Sequence, residues 1–213
     1  MAEKRKQPFF YVTWLKNYLI GDHLCRWSIW HRIYHQYEEA KSDFNRVQWS
    51  MEHATLRNEI QKQLIAEGYH VTPELKIRIA GQVAELRGRL DLVAIREDRN
   101  LIIEVKTGKP KEVDKIQLML YIWALPKTYS KFRGASFDGL IVYKTHQIEI
   151  SALDVDEIFV KNFKQFTADI LSSEPDRKYP TPEECKFCTI GNCDERMDTF
   201  EVEEKSDYEP DFF

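Results

Sequence analysis

Two carboxylates and a lysine lie close together in the middle of the chain. Asp91 ends the segment Gly88-Arg89-Leu90-Asp91, and Glu104 and Lys106 flank Val105 in the run Glu104-Val105-Lys106-Thr107-Gly108. The surrounding apolar patterning predicts a hairpin, with Leu86 to Ile95 as one strand, Leu101 to Lys106 as the next, and Glu97-Asp98-Arg99-Asn100 as the turn. Closing the hairpin at Asp98-Arg99 sets Lys106 opposite Asp91 and Glu104 opposite Val93. Opposed residues share a sheet face, and so do residues two apart on one strand, so Asp91, Glu104 and Lys106 project to one side. Close carboxylates repel unless one is protonated or a cation lies between them, and such oxygen donors suit Mg²⁺ or Mn²⁺. An ion of this kind polarises a phosphodiester and acidifies its bound water, with Lys106 orienting that water or stabilising developing charge. A solvated, charged strand face would show the same residues, and spacing alone leaves both readings open.

Further candidates lie downstream. Gln117 and Tyr121 are four apart on a helix expected over Val113 to Leu125 and ended by Pro126, so they share one face. Gln117 could hold Lys106 or a phosphate oxygen. Tyr121 could donate to a phosphate or stack on a base, or extend the apolar stripe of Leu118 and Leu125. The chain has four cysteines: Cys25, then Cys185, Cys188 and Cys193 in a Cys-x₂-Cys-x₄-Cys run. Four thiolates make one complete metal shell, which would fasten the amino-terminal helices to the carboxy-terminal segment. Spacing alone suits zinc and a [4Fe-4S] cluster equally. Disulfides are the poorer reading, because no secretory signal is expected.

These residues need a scaffold. The 213 residues are 43% hydrophobic and 31% charged with 8 Gly and 8 Pro, which excludes collagen-like, low-complexity and wholly disordered classes. No apolar run reaches the length of a membrane span, so a cytoplasmic protein with no membrane partner is expected. The net charge of −4 is unevenly spread: residues 194–213 carry −7 and residues 1–193 carry +3. A mildly basic body is compatible with DNA, and Lys109 to Lys115 could touch a backbone or simply start a solvated helix. The acidic tail reads as a disordered, solubilising segment, with docking on a partner or folding over the basic groove as the sharper alternatives.

Helices are expected from Thr13 through Leu19, along Leu24, Trp27, Trp30, Ile33 and Tyr37, and from Asn45 to Glu67 before Gly68, with Val47 and Met51 among the apolar positions of the third. Leu75, Ile77 and Ile79 alternate as a strand, Leu140 to Tyr143 and Gln147 to Ile150 form a second hairpin, and Val155 to Leu171 is the last long helix. The fold class is α/β, a mixed sheet flanked by helices.

The Asp91 after a Gly, the Glu104-Val105-Lys106-Thr107-Gly108 run and Gln117-x-x-x-Tyr121 together resemble the RecB-like branch of the PD-(D/E)XK nuclease superfamily. The resemblance implies a restriction-endonuclease-like fold in a single domain over 1–193. It also implies that His53 on the helix before the sheet, with Asp91, Glu104 and the main-chain carbonyl of Val105, completes a Mg²⁺ or Mn²⁺ shell. Trp49 stands where the family often has Gly, and Glu52 and Glu59 are neighbouring carboxylates that could replace His53. One cysteine before the core and three after it is similar to the iron-sulfur members, the AddB-type repair nucleases and the CRISPR-associated RecB-like exonucleases. That likeness favours a [4Fe-4S] cluster on Cys25, Cys185, Cys188 and Cys193 over zinc, in a subdomain built from about 13–44 and 172–193. Trp14, Trp27, Trp30 and Phe187 could shield such a cluster.

The implied activity is a DNA exonuclease on single-stranded ends, working with integrase proteins in CRISPR spacer acquisition. A repair or viral recombination nuclease of the same fold is the nearest alternative. A zinc-stabilised, catalytically inactive DNA-binding or scaffold protein is the alternative of another class.

Overall fold

The computed structural model describes residues 3–40, 44–175, 178 and 180–197, so the expected acidic tail beyond 197 lies outside the described residues. In chain order the elements are β1 (Glu3–Lys4), β2 (Phe9–Tyr11), α1 (Val12–Leu19), α2 (Arg26–Tyr34), β3 (His35–Gln36) and α3 (Arg46–Ala66). Then come β4 (His70–Pro73), β5 (Lys76–Ala80), β6 (Glu85–Arg89), β7 (Leu92–Ile95) and β8 (Asn100–Lys106). The chain continues with α4 (Glu112–Thr128), β9 (Asp138–Tyr143), β10 (Gln147–Ile150), α5 (Glu157–Ser172) and α6 (Pro182–Phe187). No described helix is long and apolar enough to cross a membrane.

A five-stranded sheet in the order β10-β9-β8-β7-β4 carries the core, mixed because β8 and β9 run parallel while the other neighbours are antiparallel. The aliphatic run Leu101-Ile102-Ile103 lies on β8 at its centre, and its alternate residues serve two different cores. Ile102 packs with Val93, Ile141 and Leu118 on the α4 side, whereas Leu101, Ile103 and Val105 pack with Ile60 and Leu64 of α3 on the other. A strand buried on both faces reads as a continuous apolar run for this reason. Glu104 and Lys106 share parity with Ile102 and therefore turn to the α4 side.

Several expectations are corrected here. The segment expected as one strand over Leu86 to Ile95 is two, β6 and β7, and they belong to different sheets. β6 pairs with β5 and with β2 in a three-stranded sheet, and β7 pairs with β4 and β8. The break falls at Leu90-Asp91, where the backbone exchanges hydrogen bonds with Leu75 and Glu74 instead. The hairpin closes at Glu97-Asp98, one residue earlier than expected, because Arg96 and Arg99 exchange both backbone bonds. The register Leu92↔Ile103 then sets Asp91 in line with Glu104, not with Lys106. Partners shift by two residues, so every side chain keeps its face.

Helix α1 begins at Val12 after Tyr11, with no side-chain cap from Thr13. The α4 helix runs through Pro126 to Thr128; in the last turn the missing N–H costs one bond, and the buried Leu120, Ala124 and Leu125 hold the segment down. Val47 and Met51, expected as core, are 72% and 67% exposed. At the start of α3 Asn45 caps the helix by accepting from the Gln48 N–H, and at its end Gly68 takes φ +88°.

Candidate functional site

Asp91 sits at the bend between β6 and β7. Its Oδ2 accepts from the Val105 backbone N–H at 2.8 Å and lies 3.4 Å from His53 Nε2. The His53 ring reaches from the middle of α3, and the same Nε2 is 3.1 Å from the Val105 carbonyl oxygen. Asp91 hydrogen-bonds to and attracts the imidazolium, which together outweigh burial and raise the His53 pKa. Glu52, the neighbouring candidate, is turned away to Lys144 at 3.1 Å, and Glu59 is exposed.

Glu104 is 5% exposed, and its two oxygens have different surroundings. Oε1 accepts from Lys106 Nζ at 2.8 Å and from Gln117 Nε2 at 2.5 Å. Oε2 is buried with no hydrogen-bond partner. Burial pushes the Glu104 carboxyl up to about 7, with Lys106 opposing the shift and Asp91 adding to it. A buried, unpartnered carboxylate oxygen is costly unless a proton or a cation satisfies it. The oxygen donors gathered here are the type a hard divalent ion takes, and His53 adds one borderline imidazole nitrogen.

The lysine is held from several sides. Lys106 Nζ donates to Gln117 Oε1 at 3.0 Å and stands 3.6 Å from Asp114 Oδ1. Burial alone would lower its pKa, but the carboxylates of Glu104, Asp114 and Asp91 outweigh it, and the net shift is upward. A second lysine, absent from the sequence reading, completes the cluster: Lys16 of α1 donates to Asp114 Oδ1 and to Gln117 Oε1, both at 3.1 Å. Its pKa is lowered, by burial first and by Lys106 next. Asp114 also accepts from the Tyr143 hydroxyl at 3.0 Å. Asp114 precedes Gln117 by three residues on α4 and so shares its face, a signal the sequence does carry. Lys16 carried none, because only the packing of α1 on α4 brings it here.

Tyr121 is 1% exposed, so it presents no open ring face for stacking on a base. Its ring lies under β6 at Gly88, where an added Cβ would come within 2.7 Å of Tyr121 Cε1. Gly88 is therefore a close-approach glycine, and the tyrosine hydroxyl hydrogen-bonds with Gln117. Its pKa is raised, chiefly by burial and then by the Glu104 charge, with Gln117 hydrogen-bonding in opposition.

These groups open into one cleft of about 870 Å³ whose lining includes His53, Asp91, Glu104, Val105, Lys106, Gln117 and Tyr121. A separate cleft of about 30 Å³ is lined by all four cysteines, with Trp27 and Phe187 but neither Trp14 nor Trp30. None of the four is in a disulfide. Their segments are far apart in sequence and are joined by Glu184, whose Oε1 accepts from the backbone N–H groups of Leu24 at 2.7 Å and Cys25 at 3.1 Å. Positive and N–H groups face the sulfurs: Arg32 lies 3.9 Å from Cys188 Sγ, and the Met197 N–H donates to Cys185 Sγ at 3.3 Å. Burial pushes the Cys25 thiol up. Soft donors in this number suit zinc or iron in type. Among the described residues, no three His, Cys, Asp or Glu side chains stand together as a closed metal-binding group in either cleft.

A family model described as the PD-(D/E)XK nuclease superfamily matches residues 13–193. The crystal structure of SSO0001 superposes over 91% of this chain and 89% of its own, with a TM-score of 0.51 and 18% sequence identity, a likeness of fold.

Proposed function

The chain belongs to the PD-(D/E)XK nuclease superfamily, and from that premise we propose that it is a divalent-metal-dependent DNA exonuclease acting on single-stranded ends. The observation that carries the metal-dependent part of this reading is Asp91, at the β6–β7 bend and in line with Glu104 by extension of the Leu92↔Ile103 register, with Glu104 Oε2 buried and without a hydrogen-bond partner. Asp91, Glu104, His53 and the Val105 carbonyl are the proposed ligands of Mg²⁺ or Mn²⁺. Held there, such an ion would supply charge to the scissile phosphate and acidify a water.

The remaining chemistry belongs to the chain. Lys106, held by Gln117, places an ammonium beside Glu104, where it can orient the attacking water and offset charge gathering on the phosphate. Lys16 and Asp114 fix Gln117 and Lys106 in turn, and Tyr121 acts only through Gln117. Thus Lys106 is assigned to catalysis, and Gln117 and Tyr121 to positioning.

The same proposal treats 1–193 as one nuclease domain in a cytoplasmic protein, with the four cysteines holding a [4Fe-4S] cluster that staples α2 to the segment around α6. Support comes from the shared cysteine cleft and from the one-before, three-after arrangement of the iron-sulfur RecB-like members. α1 packs on α4 and contributes Lys16, so the stapled part is better begun near Cys25 than at residue 13. The place proposed for the activity is CRISPR spacer acquisition beside integrase proteins; genes of a repair or recombination pathway as neighbours would favour that alternative.

End-labelled single-stranded DNA should be degraded with Mn²⁺ or Mg²⁺, and Glu104→Ala or Lys106→Ala should abolish degradation. Equal activity in those variants would refute the site. Anaerobically purified protein should be brown and contain iron, whereas colourless protein with stoichiometric zinc would reject the cluster.

A further inference from the structure

The β5–β6 hairpin carries a charge pattern that its own folding does not call for. Its register places Lys76 opposite Arg89 and Arg78 opposite Arg87. Residues two apart share a face, so all four cations stand on one side of the sheet, while Ile77 and Leu86 turn into the core. Like charges directly opposed across strands destabilise a sheet. The fold answers only part of this repulsion: Glu85 pairs with Arg87 at 2.5 Å and Glu74 with Arg89 at 3.4 Å. Among the described residues no carboxylate pairs with Lys76 or Arg78, and both are exposed.

The four cations line the same cleft as Asp91 and Glu104. Successive rungs are about 6.7 Å apart along the strands, so the face presents Lys76 and Arg78 as unneutralised cations beside Arg89, which shares Glu74, and Arg87, which pairs with Glu85 and lies 3.9 Å over the Phe9 ring. Such a face suits a flexible polyanion. Two aromatic side chains border the cleft with part of their rings in solvent, Trp49 at 45% and Tyr11 at 38% exposure. A basic groove beside open aromatic faces is the arrangement that holds unpaired nucleotides, phosphates on the cations and bases on the rings.

We infer that the β5–β6 hairpin face is the track along which the phosphate backbone of single-stranded DNA reaches the Asp91–Glu104 site, with Trp49 as a stacking surface for a base. The inference rests on the nuclease reading for its substrate, but binding tests it without hydrolysis. Full-length protein in EDTA is titrated into fluorescein-labelled oligothymidylate over a range of salt concentrations. Each phosphate contact on a single strand contributes about 0.7 to the slope of log affinity against log salt. Lys76→Ala/Arg78→Ala should therefore lower the slope by about 1.4 and weaken binding about 25-fold at 0.1 M salt.

Trp49→Ala should weaken binding about tenfold with the slope unchanged, because stacking releases no counterions. Lys161→Ala/Lys164→Ala removes equal charge from the separate groove between α4 and α5, and should bind like the parent. An unchanged slope and affinity in Lys76→Ala/Arg78→Ala, an equal loss in the α5 variant, or tighter binding of a duplex of the same length would overturn the track. Failure of the parent to cleave with Mn²⁺ while the binding pattern holds would instead overturn the nuclease reading and leave the track standing.

Discussion

Replacing Glu104 by Gln removes one charge and leaves the side chain's shape nearly intact, which isolates the cost of burying that carboxylate. In the fold its carboxyl titrates at about 7 against a free value of 4.5. Each pH unit of that gap is worth about 1.4 kcal/mol, so the ionised form costs the folded protein about 3 kcal/mol, with the attraction of Lys106 already included. The folded value lies above the unfolded one, so folding takes up a proton between them. The Glu104 contribution to stability is therefore least unfavourable below about pH 4.5, worsens as the pH rises toward 7, and carries the whole penalty above that.

Glu104→Gln has no such dependence. Urea unfolding of both proteins in EDTA at pH 4.5 and pH 8 should show the variant gaining about 3 kcal/mol on the parent over that interval, or about 6 to 12 °C in Tm for a chain of this size. Contributions independent of pH cancel in the difference. Adding Mn²⁺ at pH 8 should raise the parent and leave the variant nearly unmoved. Parallel pH profiles for the two proteins would refute the claim that Glu104 is a strained, buried anion awaiting a cation.

Other perturbations test the scaffold around it. Gly88→Ala drives a methyl against the Tyr121 ring and should cost about 1 to 3 kcal/mol by urea unfolding, with reduced nuclease activity because Gln117 shifts with its support. Lys16→Met should destabilise by about 2 kcal/mol, since Asp114 stays buried without its nearest cation. Adding Asp114→Asn to Lys16→Met should recover part of that loss in a double-mutant cycle. Asn45→Ala removes the cap of the helix that carries His53 and should cost about 1 kcal/mol by the same measurement.

Much of this chemistry was legible in the chain itself. Side-chain direction alternates strictly along a strand, so Asp91, Glu104 and Lys106 fall on one face whether the turn closes at Glu97-Asp98 or at Asp98-Arg99. An error of two in pairing changes partners and not sides. Gln117 and Tyr121 followed from the helical repeat, and their company with the carboxylates followed from the resemblance to the nuclease family.

The limits were those of local pattern. Leu86 to Ile95 reads as one strand because nothing in its residues reveals that the hydrogen-bond partners change at Asp91. The short β2 and β4 lack the length that makes alternation readable. Val47 and Met51 have helical spacing, but whether a stripe meets a core depends on what lies opposite.

Donor types, their spacing along strand and helix, and thus which atoms could ever share a face are written in the order of residues, because backbone geometry repeats locally. That Lys16 reaches Gln117 across some hundred residues of chain, that Tyr121 is sealed beneath Gly88, and that one Glu104 oxygen is satisfied while the other is not are products of the folded packing. Those outcomes depend on how distant surfaces exclude water from one another, and no short stretch of residues encodes that.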